Sequence, residues 1–458
     1  MTMLQNIVEI HLFDCKKLQW LFSCDRTQPA FPNLKALTLE SLVFLERWWE
    51  IDNDGIQGEE VMFPQLEKLF IYNCRKLTAL PGHPTFPNLQ NVFINGCPAL
   101  RSTAKSPKLS VLNMNGDEVE LFQWLARHMT SLTNLRLHSC GDCTETILAA
   151  SENCLRQVVD ARGKLNGHDF PLAVLDLRCF KSGIVTELCA WFVHLQDLSI
   201  WSSDALVHWP EKEFQGLVYL RKLLIYNCKN LTGYAQAPAN PSTSSGTRQL
   251  LPRLESLKID SCKILVEVFS VPASLRIMEI CSCSKLESIP GMRLEQMQSE
   301  WASHRWSFSI PKVSMPPSST GPVVEHLEVL KLEYCDSFRG FLHLPSSLKE
   351  LSISFCDGLV SLKSPCGGLP SLERLFLMRC SNLSSIPDGP QSYSSLWDVC
   401  IRWCPHLRTL PASLQQQLGN IRKEDIHAPD YYESPADTPR PIPTLLKPKT
   451  WQYAIRKD

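Results

Sequence analysis

The stretch from Leu372 to Pro411 constrains this chain most, because it states one pattern twice. It reads LERLFLMRCSNLSSIP and then, 24 residues on, LWDVCIRWCPHLRTLP. In the first copy the apolar positions are Leu372, Leu375, Leu377, Cys380, Leu383 and Ile386. In the second they are Leu396, Val399, Ile401, Cys404, Leu407 and Leu410, and a proline closes each set. A helix would keep a period near 3.6 and a strand would alternate throughout. Steps of three, two, three, three and three do neither. The spacing predicts a short strand at LxLxL, a turn at the cysteine and an irregular return to the next strand.

Units of this size and pattern are leucine-rich repeats. Their first apolar residues are Ile7, Leu34, Leu66, Leu89, Leu109, Leu132, Leu172, Leu195, Leu220, Leu254, Leu275, Leu327, Leu348, Leu372 and Leu396. No unit of this kind buries its own leucines, so stacked neighbours must share one core. The expected fold is an α/β solenoid: a horseshoe with one parallel sheet on its concave face and an irregular convex side with a few short helices. Residues 1–411 are expected to form the solenoid, with insertions at 46–62, 234–249 and 297–323 looping out. Residues 412–458 are expected to supply a capping segment and a Pro-rich tail. Apolar spacing predicts helices over 118–129 and 144–163. Phe31-Pro32, Phe63-Pro64, Phe86-Pro87, Phe170-Pro171, Leu251-Pro252 and Leu369-Pro370 should end each return just before a strand, because proline cannot join a ladder.

Lys plus Arg number 46 against 47 for Asp plus Glu, a formal net charge of -1 that gives no footprint for nucleic acid or a membrane surface. No apolar run is long enough to span a bilayer, and the first residues do not read as an export signal. Of 19 cysteines, those at 15, 74, 97, 140, 228, 262, 283, 335, 356, 380 and 404 share the turn position of the repeat. A small inward group that donates to nearby carbonyls suits that place, and free buried thiols point to a reducing compartment, cytoplasmic or nucleo-cytoplasmic. Phosphate-loop, dinucleotide, HExxH and GxSxG signatures are missing from the sequence. Cys140 and Cys143 make a CxxC, but the first already belongs to a repeat turn and no βαβ frame surrounds them. No catalytic residue, cofactor or metal site is expected.

What remains is a surface. The leucines face inward, so the residues between and just after them face the concavity, which about fifteen strands would extend to roughly 70 Å. Candidate protein-binding residues there are Tyr72, Trp201, Lys222, Tyr226, Tyr334, Phe355, Phe376, Met378, Arg379, Arg402 and Trp403. Charges of both signs mix along this face, which argues against a polyanionic ligand. In the last three units aromatics gather with arginines, the composition of protein interaction hot spots.

The unit LxxLxIxxCxxLxxLP, with LEKLFIYNCRKLTALP, LRKLLIYNCKNLTG and LKELSISFCDGLVSL, resembles the C-terminal repeats of plant intracellular nucleotide-binding leucine-rich-repeat disease resistance proteins. LFQWLARHMTSLTNLRLHSC and the ending LLKPKTWQYAIRKD are similar to grass members of that family. The resemblance implies a non-enzymatic sensor of a pathogen effector or a guarded host protein, which restrains a switch domain in a full receptor. Neither a signalling domain nor a nucleotide-binding switch accompanies the repeats, so binding without signalling is expected. A leucine-rich substrate receptor of a ubiquitin ligase is the alternative, and a thiol oxidoreductase through Cys140 and Cys143 stands third.

Overall fold

Each LxLxL segment alternates two leucine-type residues with three that point the other way, and a strand is the conformation that separates the two sets. The computed structural model describes residues 6–22, 31–49, 63–80, 86–100, 106–116, 128, 130–139, 170–181, 183–233, 250–289, 294–295, 324–364, 367–421 and 423–426. Among them a 16-stranded sheet runs from Glu9–Phe13 to Lys423–Ile426, its strands adjacent in the order of the chain. The pairings are parallel and without offset: Asp197 pairs with Lys222, Lys222 with Ser256 and Ser256 with Ile277.

Zero offset places equivalent leucines in columns. Leu351, Leu375 and Val399 form part of one, and Ile353, Leu377 and Ile401 part of the next. All six are at most 3% exposed. The chain is a leucine-rich-repeat solenoid whose core is the space between these columns and the returning segments. The residues just before the prolines close that space: Phe63, Phe86, Phe170, Leu251 and Leu369 are buried. Near the N-terminus Phe31, Phe63 and Phe86 stack at 6.1 and 5.7 Å, and Trp48 meets the last two edge-on.

The turn cysteines behave as their position predicts. Cys380 Sγ lies 3.6 Å from the carbonyl of Ile353 in the preceding strand and 3.6 Å from that of Met378. Cys356 reaches Leu332 and Ser354, and Cys335 reaches Ile280 and Glu333, in the same way. One thiol hydrogen serves one acceptor at a time, so each cysteine ties its own turn or the neighbouring strand. Contact with the thiol of the adjacent unit, followed by burial, pushes Cys97, Cys262, Cys356 and Cys380 well up from the ordinary thiol range.

Two features depart from the expected plan. The ladder does not stop at Pro411: helix Ala412–Gln417 and a 3-10 turn Leu418–Asn420 lead into Lys423–Ile426, which pairs with Asp398–Arg402. Leu414 is buried, and Leu418, Ile421 and Ile426 pack against the end of the core. The return side is also more regular than its sequence suggests. Trp20–Phe22 pairs with Arg47–Trp49, and Gly340–His343 bridges Leu294–Glu295 and Leu359–Lys363. Short helices Ile184–Trp191 and Glu211–Gly216 occupy other returns. The helix expected at 144–163, nearly all of that at 118–129, most of the insertion at 46–62, those at 234–249 and 297–323, and the tail beyond 426 lie outside the described residues. So does the Cys140–Cys143 pair.

Leu377 is fully buried between Ile353 and Ile401. Leu377→Ala should cost about 2–5 kcal/mol of unfolding free energy, read from denaturant melts. A loss under about 0.5 kcal/mol, the range of a surface change, would contradict the column arrangement.

Candidate functional site

Each strand presents three residues on the face away from the core: its first, middle and last. A fourth follows from the turn. To bury the cysteine, the backbone must swing inward directly after the strand, and it does so through a left-handed residue. Asn73, Ser202, Asn227, Ser261, Ser282, Tyr334, Phe355, Arg379 and Trp403 have φ between 51° and 59° at this place. The same residue adds a last rung to the ladder, as Asn227 donates its N–H to Asp260 at 2.8 Å and Phe355 donates to Met378 at 2.9 Å.

Left-handed backbone suits glycine, Asn and Asp and strains bulky side chains. Most units place a small side chain there, Gly, Asn or Asp at Asp14, Asn73, Gly96 and Asn227 and Ser or Cys at Ser41, Cys179, Ser202, Ser261 and Ser282. Four consecutive units do not: Tyr334, Phe355, Arg379 and Trp403 hold it at φ 51–54°. Being equivalent, these four form one row. The Tyr334 and Phe355 rings stack at 4.3 Å and 15°. Arg379 lays its guanidinium 5.4 Å from the Phe355 ring centroid and 5.0 Å from that of Trp403. Arg402 approaches Trp403 at 6.0 Å. Tyr334 is 43% exposed despite its stack. Arg379 is exposed and has no ion-pair partner among the described residues.

The other candidates divide. Met378 and Arg402 are register partners at strand ends beside the row, while Phe376 sits one position pair earlier, half-buried. Trp201 and Tyr226 pair at 4.8 Å, and Arg178, held bidentate by Asp176 at 3.0 and 2.8 Å, covers the Trp201 ring. Tyr72 lies far up the ladder with Phe70, which stacks on Phe93 at 4.9 Å. Burial and then the Glu40 charge push the Tyr72 hydroxyl above its ordinary value. Lys222 joins neither group: it opens its strand, about 13 Å from Tyr226 at strand spacing, and binds Asp197 at 3.3 Å.

Charges on the middle of the face neutralise one another. Lys258, Glu279, Lys331, Glu350 and Arg374 alternate in sign across consecutive strands, with contacts of 2.9, 3.6, 3.1 and 2.5 Å. The strand ends differ. Asp260, Cys281 and Glu333 are register partners, and the two carboxylates have no cation partner among the described residues. The Ser261 hydroxyl donates to Asp260 at 2.9 Å. Burial raises Asp260 above the usual carboxylate range, and burial with the Asp260 charge raises Glu333. Cys281 between them is pushed up to about 12, by burial first and then by the surrounding carboxylates. Asp260 and Cys281 escaped the sequence reading, although their place in the repeat equals that of Tyr72 and Trp201.

No family model and no curated protein matches the chain. Comparison with solved structures returns leucine-rich-repeat proteins. One is an LRR protein of Leptospira interrogans: 17% identity over 90% of this chain and 95% of that one, TM-score 0.42. Another is TLR13 in its ssRNA13 complex, 15% identical over 89% of this chain and 70% of that one, TM-score 0.26. A third is the plant peptide hormone receptor RGFR1 with RGF2, 14% identical over 87% and 81%, TM-score 0.19. These likenesses are weak. The fold assignment rests on the ladder, its register and its core.

Two measurements check this description. Trp403→Asn gives up cation–π contact with Arg379 and Arg402, about 0.5–1 kcal/mol at an exposed site, but relieves a left-handed strain of about 1–2 kcal/mol. Its unfolding free energy should therefore stay within about 1 kcal/mol of wild type, and a larger loss would mean that the row is a core element. The raised carboxylates give a sign for pH. The fold favours their protonated forms, so their contribution is fullest below the ordinary carboxylate range and is lost as pH rises through the raised values. Glu279, Lys258, Lys331, Cys281, Tyr226 and Tyr334 face or flank the pair. Asp260→Asn with Glu333→Gln should match or exceed wild-type stability near neutral pH, and the gap should close toward about pH 4. A gap that does not change with pH would refute the raised values.

Proposed function

We propose that the chain is a non-enzymatic protein-recognition module that binds its partner on the open face of the sheet. The observation that carries this reading is the row Tyr334–Phe355–Arg379–Trp403, where four bulky side chains occupy a strained backbone position that the other units give to small residues. Strain of this sort, about 1–3 kcal/mol a residue, collects at functional sites. Aromatic groups with an arginine, presented to solvent on a stiff scaffold, have the make-up of an interaction hot spot.

The finer reading places the module in plant defence. The repeat pattern supports a sensor region of an intracellular nucleotide-binding leucine-rich-repeat receptor, acting in the cytoplasm or between cytoplasm and nucleus. Its partner would be a pathogen effector, a guarded host protein or the receptor's own switch domain. Contacts on the open face would restrain such a switch only if they differ in affinity between its two states. Nucleic acid and membrane are not the partners proposed: charge on the face is mixed, and no helix among the described residues is long and apolar enough to cross a bilayer.

The test is direct binding to a panel of secreted proteins from cereal pathogens and nucleotide-binding domains of grass receptors. Tyr334→Asn with Trp403→Asn should weaken any specific pair by at least roughly 1–2 kcal/mol, the scale of hot-spot residues, at unchanged melting temperature. Binding untouched by the double variant would remove the row from the interface.

A further inference from the structure

The strand ends of the last six units are electrically polarised, and the aromatic row lies between the two poles. Taken strand by strand, the end and turn positions read Asp260, Cys281, Glu333 with Tyr334, then Phe355, then Arg379, then Arg402 with Trp403. Negative charge occupies one end and positive charge the other, with stacked rings in the middle. We propose that this strip binds an extended segment of a protein partner in one direction only, with a basic side chain over Asp260 and Glu333, apolar side chains on the Tyr334–Phe355 stack and an acidic side chain on Arg379. The inference rests on the reading of the open face as a protein-recognition surface and adds the chemistry and polarity of what lies there.

Three observations carry it. First, Asp260, Glu333 and Arg379 have no ion-pair partner among the described residues. Lys258 and Lys331, on the neighbouring strand positions, are engaged by Glu279 and Glu350, and neither Asp260 nor Glu333 forms an ion pair among the described residues. At the other pole no carboxylate among the described residues pairs with Arg379, and the neighbouring Glu350–Arg374 pair lies at the opposite ends of those strands. Second, Arg379 is prepared for an anion. Its guanidinium carbon lies 5.4 Å from the Phe355 ring centroid and 5.0 Å from that of Trp403, which holds the group beside the row, and its N–H donors can serve a carboxylate two at a time. Third, the geometry suits an extended chain. From Cys281 to Arg379 is three strand steps, about 14 Å, which an extended segment covers in about four residues. A segment laid in reverse would set like charges against each other at both ends, so the polarity fixes its direction.

The test selects random short peptides from a displayed library against the full chain and against two variants. One is Asp260→Asn with Glu333→Gln. The other is Arg379→Met, which keeps an apolar stem between the rings. Wild type should enrich a Lys or Arg with an Asp or Glu about four residues away, in the same order along the peptide in every enriched sequence. The carboxamide variant should lose only the basic preference, and the methionine variant only the acidic one. For a selected peptide measured by fluorescence anisotropy, exchanging its two charged residues should weaken binding roughly tenfold or more, equivalent to one lost charge pair. Equal binding of the exchanged peptide, or enrichment that survives in the variants, would overturn the polarity while leaving the recognition surface in place. If selected peptides bind equally well to Tyr334→Asn with Trp403→Asn, or none is selected, the surface itself falls. Circular dichroism of each variant separates loss of binding from loss of fold.

Discussion

The constraint on which everything else depends is that no unit of this chain can bury its own leucines. A five-residue strand with two inward side chains leaves both half wet unless an identical strand lies on each side. In-register parallel pairing meets that need once and then repeats it, so Leu375 meets Leu351 and Val399, and Leu377 meets Ile353 and Ile401. Once the columns exist, the rest of each unit is bound to follow. The backbone must turn in after the strand, an inward side chain, most often cysteine but Leu42 and Phe180 in two units, fills the turn, and in several units a proline step brings the chain back. The thiols at this turn are fitted to it by size and by their single donor, and a neighbouring thiol with burial pushes Cys356 and Cys380 up from the ordinary thiol range.

The left-handed residue links that architecture to recognition. It is forced by the inward swing of the main chain and therefore recurs. Its side chain escapes the core and stands beside the strand ends. Small polar residues accept the conformation at little cost. Tyr334, Phe355, Arg379 and Trp403 accept it against their preference and recover part of the cost by stacking on one another. A row that was only structural would not need side chains so large, nor leave Tyr334 as open to water as it is.

The sequence made the strands, their inward residues and the turn cysteines readable, because those depend on periodicity within one unit. Leu375, Leu377 and Cys380 lie where the spacing puts them. Lys423–Ile426 was hidden because KEDI carries one apolar residue; it joins the ladder through main-chain pairing and the anchor of Ile426. The candidate face was legible as a set of residues but not as a pattern. Whether Lys222 reaches Tyr226, or Tyr334 reaches Phe355, depends on which column each occupies and on contacts across the sheet. Asp260 and Glu333 were unreadable as a pair for the same reason: 73 residues separate them in the chain and two strand steps in the sheet.

The absence of offset between successive strands has an evolutionary side. Duplicating or deleting one whole unit would move every later side chain by a single rung, about 4.8 Å, together with the small turn each repeat adds, and would exchange no residue between the inner and outer faces. Inward residues would remain inward, and the surface downstream would slide intact relative to the surface upstream. A lineage could thus re-space the acidic and basic ends of its reading strip by unequal crossing-over alone, without a point mutation and without disturbing the hydrophobic interior.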